Sequence, residues 1–253
     1  TLSNGLKVLL IEDKSLPYFS TLLLVKAGSN REGLNERGLA SFTGAMLNKG
    51  SSKRNTMQIA GSLEQLGSSL GVDIKSDYSM IMASALASNR EALLKDFSEV
   101  VLDPIFPEAE IARLRQQSLA NFKQLPDEPD EFANWAFNTY LYGAGHAYGT
   151  ASGGRPKDIA KIARKDLQKF YNTYYRPGNA ILAVAGQLPA NIEAQLETTF
   201  GKWKAQPVAE PQIAKFPNIT GVEIEVVDKP GLNQSQIIFG QKGIQRTNPD
   251  FLA

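Results

Sequence analysis

Short apolar runs at residues 5–12 (GLKVLLIE) and 20–27 (STLLLVKA) predict two strands, parted by a polar loop that holds Pro17. Apolar residues then recur at helical spacing over 37–48 and 56–66, the second helix entered through Asn55 or Thr56 as N-cap. Two strands follow at 70–76 and 79–87, where IMASAL and its neighbours alternate. Helices are predicted near 89–101, 108–124, 129–142 and 165–175, then a strand at 180–186 and a helix at 190–200. Strands and helices alternate without strict βαβ order. That pattern predicts an α+β fold with a mixed or antiparallel sheet packed against helices.

The helix over 37–48 has an unusual second face. Leu39, Phe42 and Met46 form the apolar stripe expected to meet a core. Ser41, Gly44 and Ala45 sit at i, i+3 and i+4 and so share another side. A glycine inside a helix costs about 0.5–1 kcal/mol relative to alanine, so the small face calls for a reason.

Residues 205–220 contain three prolines and no clear periodicity, and read as a linker. Beyond it GVEIEVVDKP and SQIIFGQKG predict a new strand pair. This segment repeats the opening of the chain. Asp13-Lys14 precedes Gly28 by the spacing that separates Asp228-Lys229 from Gly243. An arginine follows each glycine by three residues (Arg31, Arg246), and Leu-Ala comes after (Leu39-Ala40, Leu252-Ala253). The register predicts a duplication: a first domain over 1–204, the linker 205–220, and the beginning of a second, similar domain over 221–253.

Composition narrows the chemistry. The 253 residues include 27 basic and 26 acidic side chains, for a formal charge of +1, which gives no reason to expect nucleic acid as a partner. Lys157, Lys161, Arg164, Lys165 and Lys169 follow helical spacing and read as a solvated face. No apolar run is long enough for a membrane span. There is no cysteine, so thiolate zinc sites and cysteine nucleophiles are excluded. His146 is the single histidine, so no site can take two imidazoles from this chain, and any Ser-His-Asp arrangement could use only His146. It lies in LYGAGHAYG, after a helix and without an evident nucleophile, which favours a structural role. Ser152 to Gly154 followed by Arg155-Pro156 suit a turn rather than a phosphate cradle. Asn218 and Asn233 open glycosylation patterns of a kind common by chance. The chain starts without Met and already near a strand, which predicts that the native start has been trimmed.

With this order of elements, several segments become recognisable: LSNGLKVLLIED, VKAGSNREGLNERGLASF, LNKGSSKRN, LEQLGSSLGVDIKSDYS, LDPIFPEAEI, HAYG, YYRPGNAILAVAGQL and FGKW. Together they resemble the pitrilysin/insulinase family of zinc peptidases, which includes the mitochondrial processing peptidases and the respiratory-complex core proteins. Active members carry H-x-x-E-H in the first helix, with a further carboxylate ligand on a later helix. The resemblance places the two histidines on Ser41 and Ala45, the glutamate base on Gly44, the distant ligand on Asn121 and a supporting acidic residue on Leu114. Zinc catalysis needs three protein ligands and an open position for water. None of these positions supplies its family group, so no metal, no cofactor and no catalytic residue is expected here.

The resemblance further implies an edge strand at SLGVDI (69–74), to which an extended peptide adds as another strand, with Leu70, Gly71 and Val72 as candidate contacts. An edge covered or blunted in this chain is an equal expectation. Active and degenerate halves of the family commonly pair. The implied role is a non-catalytic subunit that joins a zinc-bearing peptidase relative to enclose a peptide or unfolded polypeptide. A scaffold or peptide-binding protein with no protease partner is the alternative. For a bacterial chain the resemblance implies the periplasm or cell envelope.

Overall fold

The computed structural model describes residues 1–151, 153–211, 215, 217–231, 234–245 and 248–252. Ser152 of the predicted turn, Asn233 of the second glycosylation pattern, and Arg246 and Ala253 of the repeat lie outside the described residues.

Among the described residues five strands form one sheet: β1 (Lys7–Glu12), β2 (Tyr18–Val25), β3 (Gly71–Ile74), β4 (Ser79–Leu86) and β5 (Ala180–Gly186), in the order β1-β5-β2-β4-β3. Only β1 and β5 pair in parallel; every other pair is antiparallel. The α+β reading with a mixed sheet therefore holds. Alternation sets the inner face. Phe19, Thr21, Leu23 and Val25 of β2 are buried together with Ile81 and Ala83 of β4 and Leu182 and Val184 of β5.

The helices are α1 (Leu39–Met46), α2 (Thr56–Gln65), α3 (Arg90–Leu102), α4 (Glu108–Gln124), α5 (Pro129–Tyr142), α6 (Pro156–Ile159), α7 (Arg164–Tyr174) and α8 (Ile192–Phe200). Phe42 and Met46 of α1, Phe97 and Val101 of α3, Phe170 of α7 and Phe200 of α8 complete one core with the inner sheet face. Helix α2 begins as predicted: the Asn55 side chain accepts from the Gln58 N–H, and the Gln58 side chain accepts from the Asn55 N–H, closing a capping box. Helix α6 lies outside the predicted elements; its four residues, beginning with Pro156, are too short for a periodic signal.

The strand pair expected within 221–243 does not form: none of the described residues there joins a sheet. The alternation is present, but Val222, Ile224, Val226, Ile237 and Phe239 are all exposed, at 80% or more. A strand is a property of its neighbours, and these residues have no partner strand to pair with among the described residues.

The edge of the sheet that matters most is β3. Among the described residues it pairs on one side only, with β4, from Gly71↔Met82 to Ile74↔Ser79. The β3–β4 turn is gripped by the loop after β2: the Ser29 and Asn30 amides donate to the Lys75 and Ser76 carbonyls at 3.2 and 2.8 Å. That approach needs Gly28, since a Cβ there would lie 2.0 Å from the Lys75 carbonyl oxygen.

Candidate functional site

Helix α1 is anchored from its N-terminus. Its first amides have no helical acceptor, and the buried Glu32 carboxylate takes up two of the amides at this end, from Gly38 at 3.0 Å and Ala40 at 2.8 Å. Burial pushes the Glu32 carboxyl up to about 8, against the downward pull of those two amides and of Arg37. Arg37, also buried, donates to the carbonyls of Ser29, Glu32 and Gly145. Burial draws its guanidinium below the usual arginine value, with Glu32 opposing. One arginine thus ties the start of α1 to the loop after β2 and to the loop after α5.

Leu39, Phe42 and Met46 face the core as the periodicity predicts. The small face meets the edge strand. A Cβ at Gly44 would lie 2.6 and 2.9 Å from Cδ1 and Cγ1 of Ile74, and 3.0 Å from Cγ1 of Val72. Ser41 and Ala45 flank this contact and are half-buried.

Two cavities open beside the seam. The larger, about 870 Å³, runs along Ile74 to Asp77 and is walled by α4 and α5; Asn121, Phe122, Trp135, Asn138, Tyr142 and Tyr148 line it. The smaller, about 370 Å³, is lined by Ala45, Met46, Leu70, Val72 and Leu114, with Lys49, Glu110 and Arg113 among the polar groups. Asn121 therefore faces the larger cavity, whereas Ala45 and Leu114 face the smaller. The positions that the resemblance assigns to a single metal line different cavities here. Of the candidate peptide contacts, Gly71 and Val72 lie on the β3 edge and Leu70 precedes it.

The wall of the larger cavity is fixed by polar contacts that sequence reading missed. The Tyr148 hydroxyl donates to the Asp77 carboxylate at 2.6 Å, and the Asn30 amide donates to the same oxygen at 3.0 Å. Burial and the Asp77 charge raise the Tyr148 phenol above its ordinary value. His146 is buried, stacks on Tyr142 at 5.9 Å, and accepts the Tyr148 N–H at Nδ1. Its imidazole therefore serves to shape the wall. The helical spacing of Glu131, Trp135, Asn138 and Tyr142 could have disclosed the α5 face. The partnership of Asp77 with Tyr148 has no local signal.

A family model described as Insulinase (Peptidase family M16) matches residues 7–146, and one described as Peptidase M16 inactive domain matches residues 161–253. The first alone covers more than half of the chain. The chain belongs to the insulinase family, peptidase M16.

Among its relatives, the probable mitochondrial-processing peptidase subunit beta of Arabidopsis thaliana is 26% identical over 259 residues, spanning 100% of this chain and 48% of that protein. The uncharacterized zinc protease YmxG of Bacillus subtilis is 22% identical and covers 97% of this chain and 59% of its own length. A peptidase M16 inactive domain from Pseudomonas fluorescens superimposes with a TM-score of 0.79 at 32% identity, covering 86% of this chain and 53% of that one. The chain spans about half the length of the curated relatives it matches.

Two of the relatives are named zinc proteases, and the residues that the resemblance places at a zinc site do not fit the metal. Ser41 brings a hydroxyl and Asn121 a neutral amide, while Gly44 and Ala45 bring no donor. Zinc sites are built from thiolate, imidazole and carboxylate ligands. Among the described residues no three His, Cys, Asp or Glu side chains come together as a metal-holding group.

Proposed function

We propose that this M16 chain is a non-catalytic, peptide-holding subunit that pairs with a zinc-bearing relative. The observation that carries the reading is the open β3 edge, running from the smaller cavity to the larger, beside a helix face without metal-binding groups. An edge strand offers unpaired N–H and C=O groups that bind extended peptides with little regard to sequence, and adjacent cavities receive their side chains. Leu70, Gly71 and Val72 supply the entry end of this edge. Trp135, Tyr142 and Tyr148 offer apolar and aromatic surface at the other end. A peptide lying there meets the β3 main chain and the cavity walls beside it, and the α1 residues behind the strand bring it no metal-binding group to polarise its carbonyl or activate water. Holding without cleavage follows from that chemistry.

The division into a first domain at 1–204, a linker at 205–220 and the start of a second domain from 221 belongs to the same proposal. It is supported by the repeat around Gly28 and Gly243 and by the apolar residues that 222–239 leaves exposed. The name of the Arabidopsis relative as a subunit supports the pairing.

The test holds the nearest zinc-bearing relative from the same organism at fixed concentration. The full-length protein is titrated in while cleavage of a quenched peptide is followed. A saturable rise in rate, with none from this protein alone, is expected. No rise together with no association would discard the subunit reading in favour of a scaffold with no protease partner.

A further inference from the structure

We infer that Val72 and Ile74 of the edge strand interlock with Gly44 of α1, and that this packing, beyond the missing ligands, closes the cleft to a metal site and fixes the edge strand in place. The inference does not depend on a protease partner, and its failure would leave peptide holding untouched.

The contact distances carry the argument. An added Cβ at Gly44 falls within 3.0 Å of three carbon atoms on two side chains. Valine and isoleucine are branched at Cβ and stiff at χ1, so the two Cγ1 atoms are held in place, although Cδ1 of Ile74 can turn about χ2. Helix α1 cannot withdraw, because Leu39, Phe42 and Met46 on its other face are buried in the core. Strand β3 cannot withdraw either. It is paired to β4, and the amides of Ser29 and Asn30 hold the turn that follows it. A side chain at 44 must therefore displace something that is tied down on its far side. The seam also separates the two cavities, so side chains at 45 and 121 face different spaces.

Two experiments on the full chain test the interlock. The first is a double-mutant cycle of Gly44→Ala and Ile74→Ala followed by thermal unfolding. Gly44→Ala alone is expected to lower Tm although alanine is the better helix former. With Ile74→Ala already present, the same change is expected to be neutral or stabilising. Additive shifts would overturn the inference.

The second installs the family groups, Ser41→His, Gly44→Glu, Ala45→His and Asn121→Glu, with and without Val72→Ala and Ile74→Ala. Zinc content is measured after dialysis. The four changes alone are expected to lower Tm and retain no stoichiometric zinc; adding the two relieving changes is expected to restore both. Stoichiometric zinc at the original Tm in the four-fold variant would overturn the interlock, as would relieving changes that restore neither. If the four-fold variant does not fold, the cycle of single changes decides.

Discussion

The two regions of helix α1 treat polarity in opposite ways. At its N-terminus a buried carboxylate and a buried guanidinium are kept, and Glu32 and Arg37 together make five hydrogen bonds to main-chain amides and carbonyls. One turn further on, the face toward the edge strand carries only Ser41, Gly44 and Ala45, and the strand answers with Val72 and Ile74. Buried polar groups persist where the backbone supplies their partners, because an orphaned polar group in the interior costs more than a made bond returns. On the cleft face, where the resemblance places a metal and its ligands, the side chains are small, and Gly44 meets the apolar Val72 and Ile74.

The largest effect should come from breaking the polar end. Arg37→Ala removes a buried side chain and its donors; the Ser29 carbonyl keeps the Glu32 amide and Gly145 is exposed, so the Glu32 carbonyl is the buried group left unpaired, at about 1–3 kcal/mol. Urea unfolding at neutral pH should show a loss of at least that order.

A smaller and pH-dependent effect belongs to Glu32. Its folded-state value near 8 lies above the ordinary 4.5, so across that window the folded chain keeps a proton that the unfolded chain has released. Stability should therefore be fully present below about pH 4.5, fall as pH rises through the window, and level off above pH 8. Glu32→Gln should flatten this slope, which urea midpoints taken at several pH values will report. A slope unchanged in the variant would mean that the N-terminal network is not the source.

The smallest effect is expected on the cleft side. Asn121 is exposed on α4, so Asn121→Ala should change stability by no more than about 0.5 kcal/mol. Titration with a labelled extended peptide should nevertheless show weaker binding, because Asn121 lines the larger cavity. A large stability loss would blur the contrast between the two regions of the helix.

Much of this contrast was legible in the residues themselves. Among the described residues, periodicity locates seven of the eight α-helices and all five strands to within a few residues, because each carries its own apolar face and the Asn55 cap is local. The small face of α1 was readable for the same reason: i, i+3 and i+4 share a side whatever surrounds them. The identity of its partner was not readable. Val72 and Ile74 reach Gly44 only because β3 is the last strand of the sheet, and strand order is a long-range property. The cavity wall joins Asp77 to Tyr148 across 71 residues, with nothing in either local segment to announce it. The strand pair expected beyond the linker shows the converse. Alternating apolar residues at 222–239 carry a strand pattern, but a pattern without a neighbouring strand does not make a sheet.

Peptide holding requires that an intact peptide sit on β3. Hydrogen exchange of the amides from Gly71 to Ile74, measured with and without an extended peptide whose mass is recorded in the same sample, tests this most directly. Slower exchange at those amides is predicted, with the peptide uncut, and with the same protection in zinc and in chelator. A cleaved peptide, or amides that exchange as fast with peptide as without it, would contradict the claim that this chain holds peptides on its edge strand without cutting them.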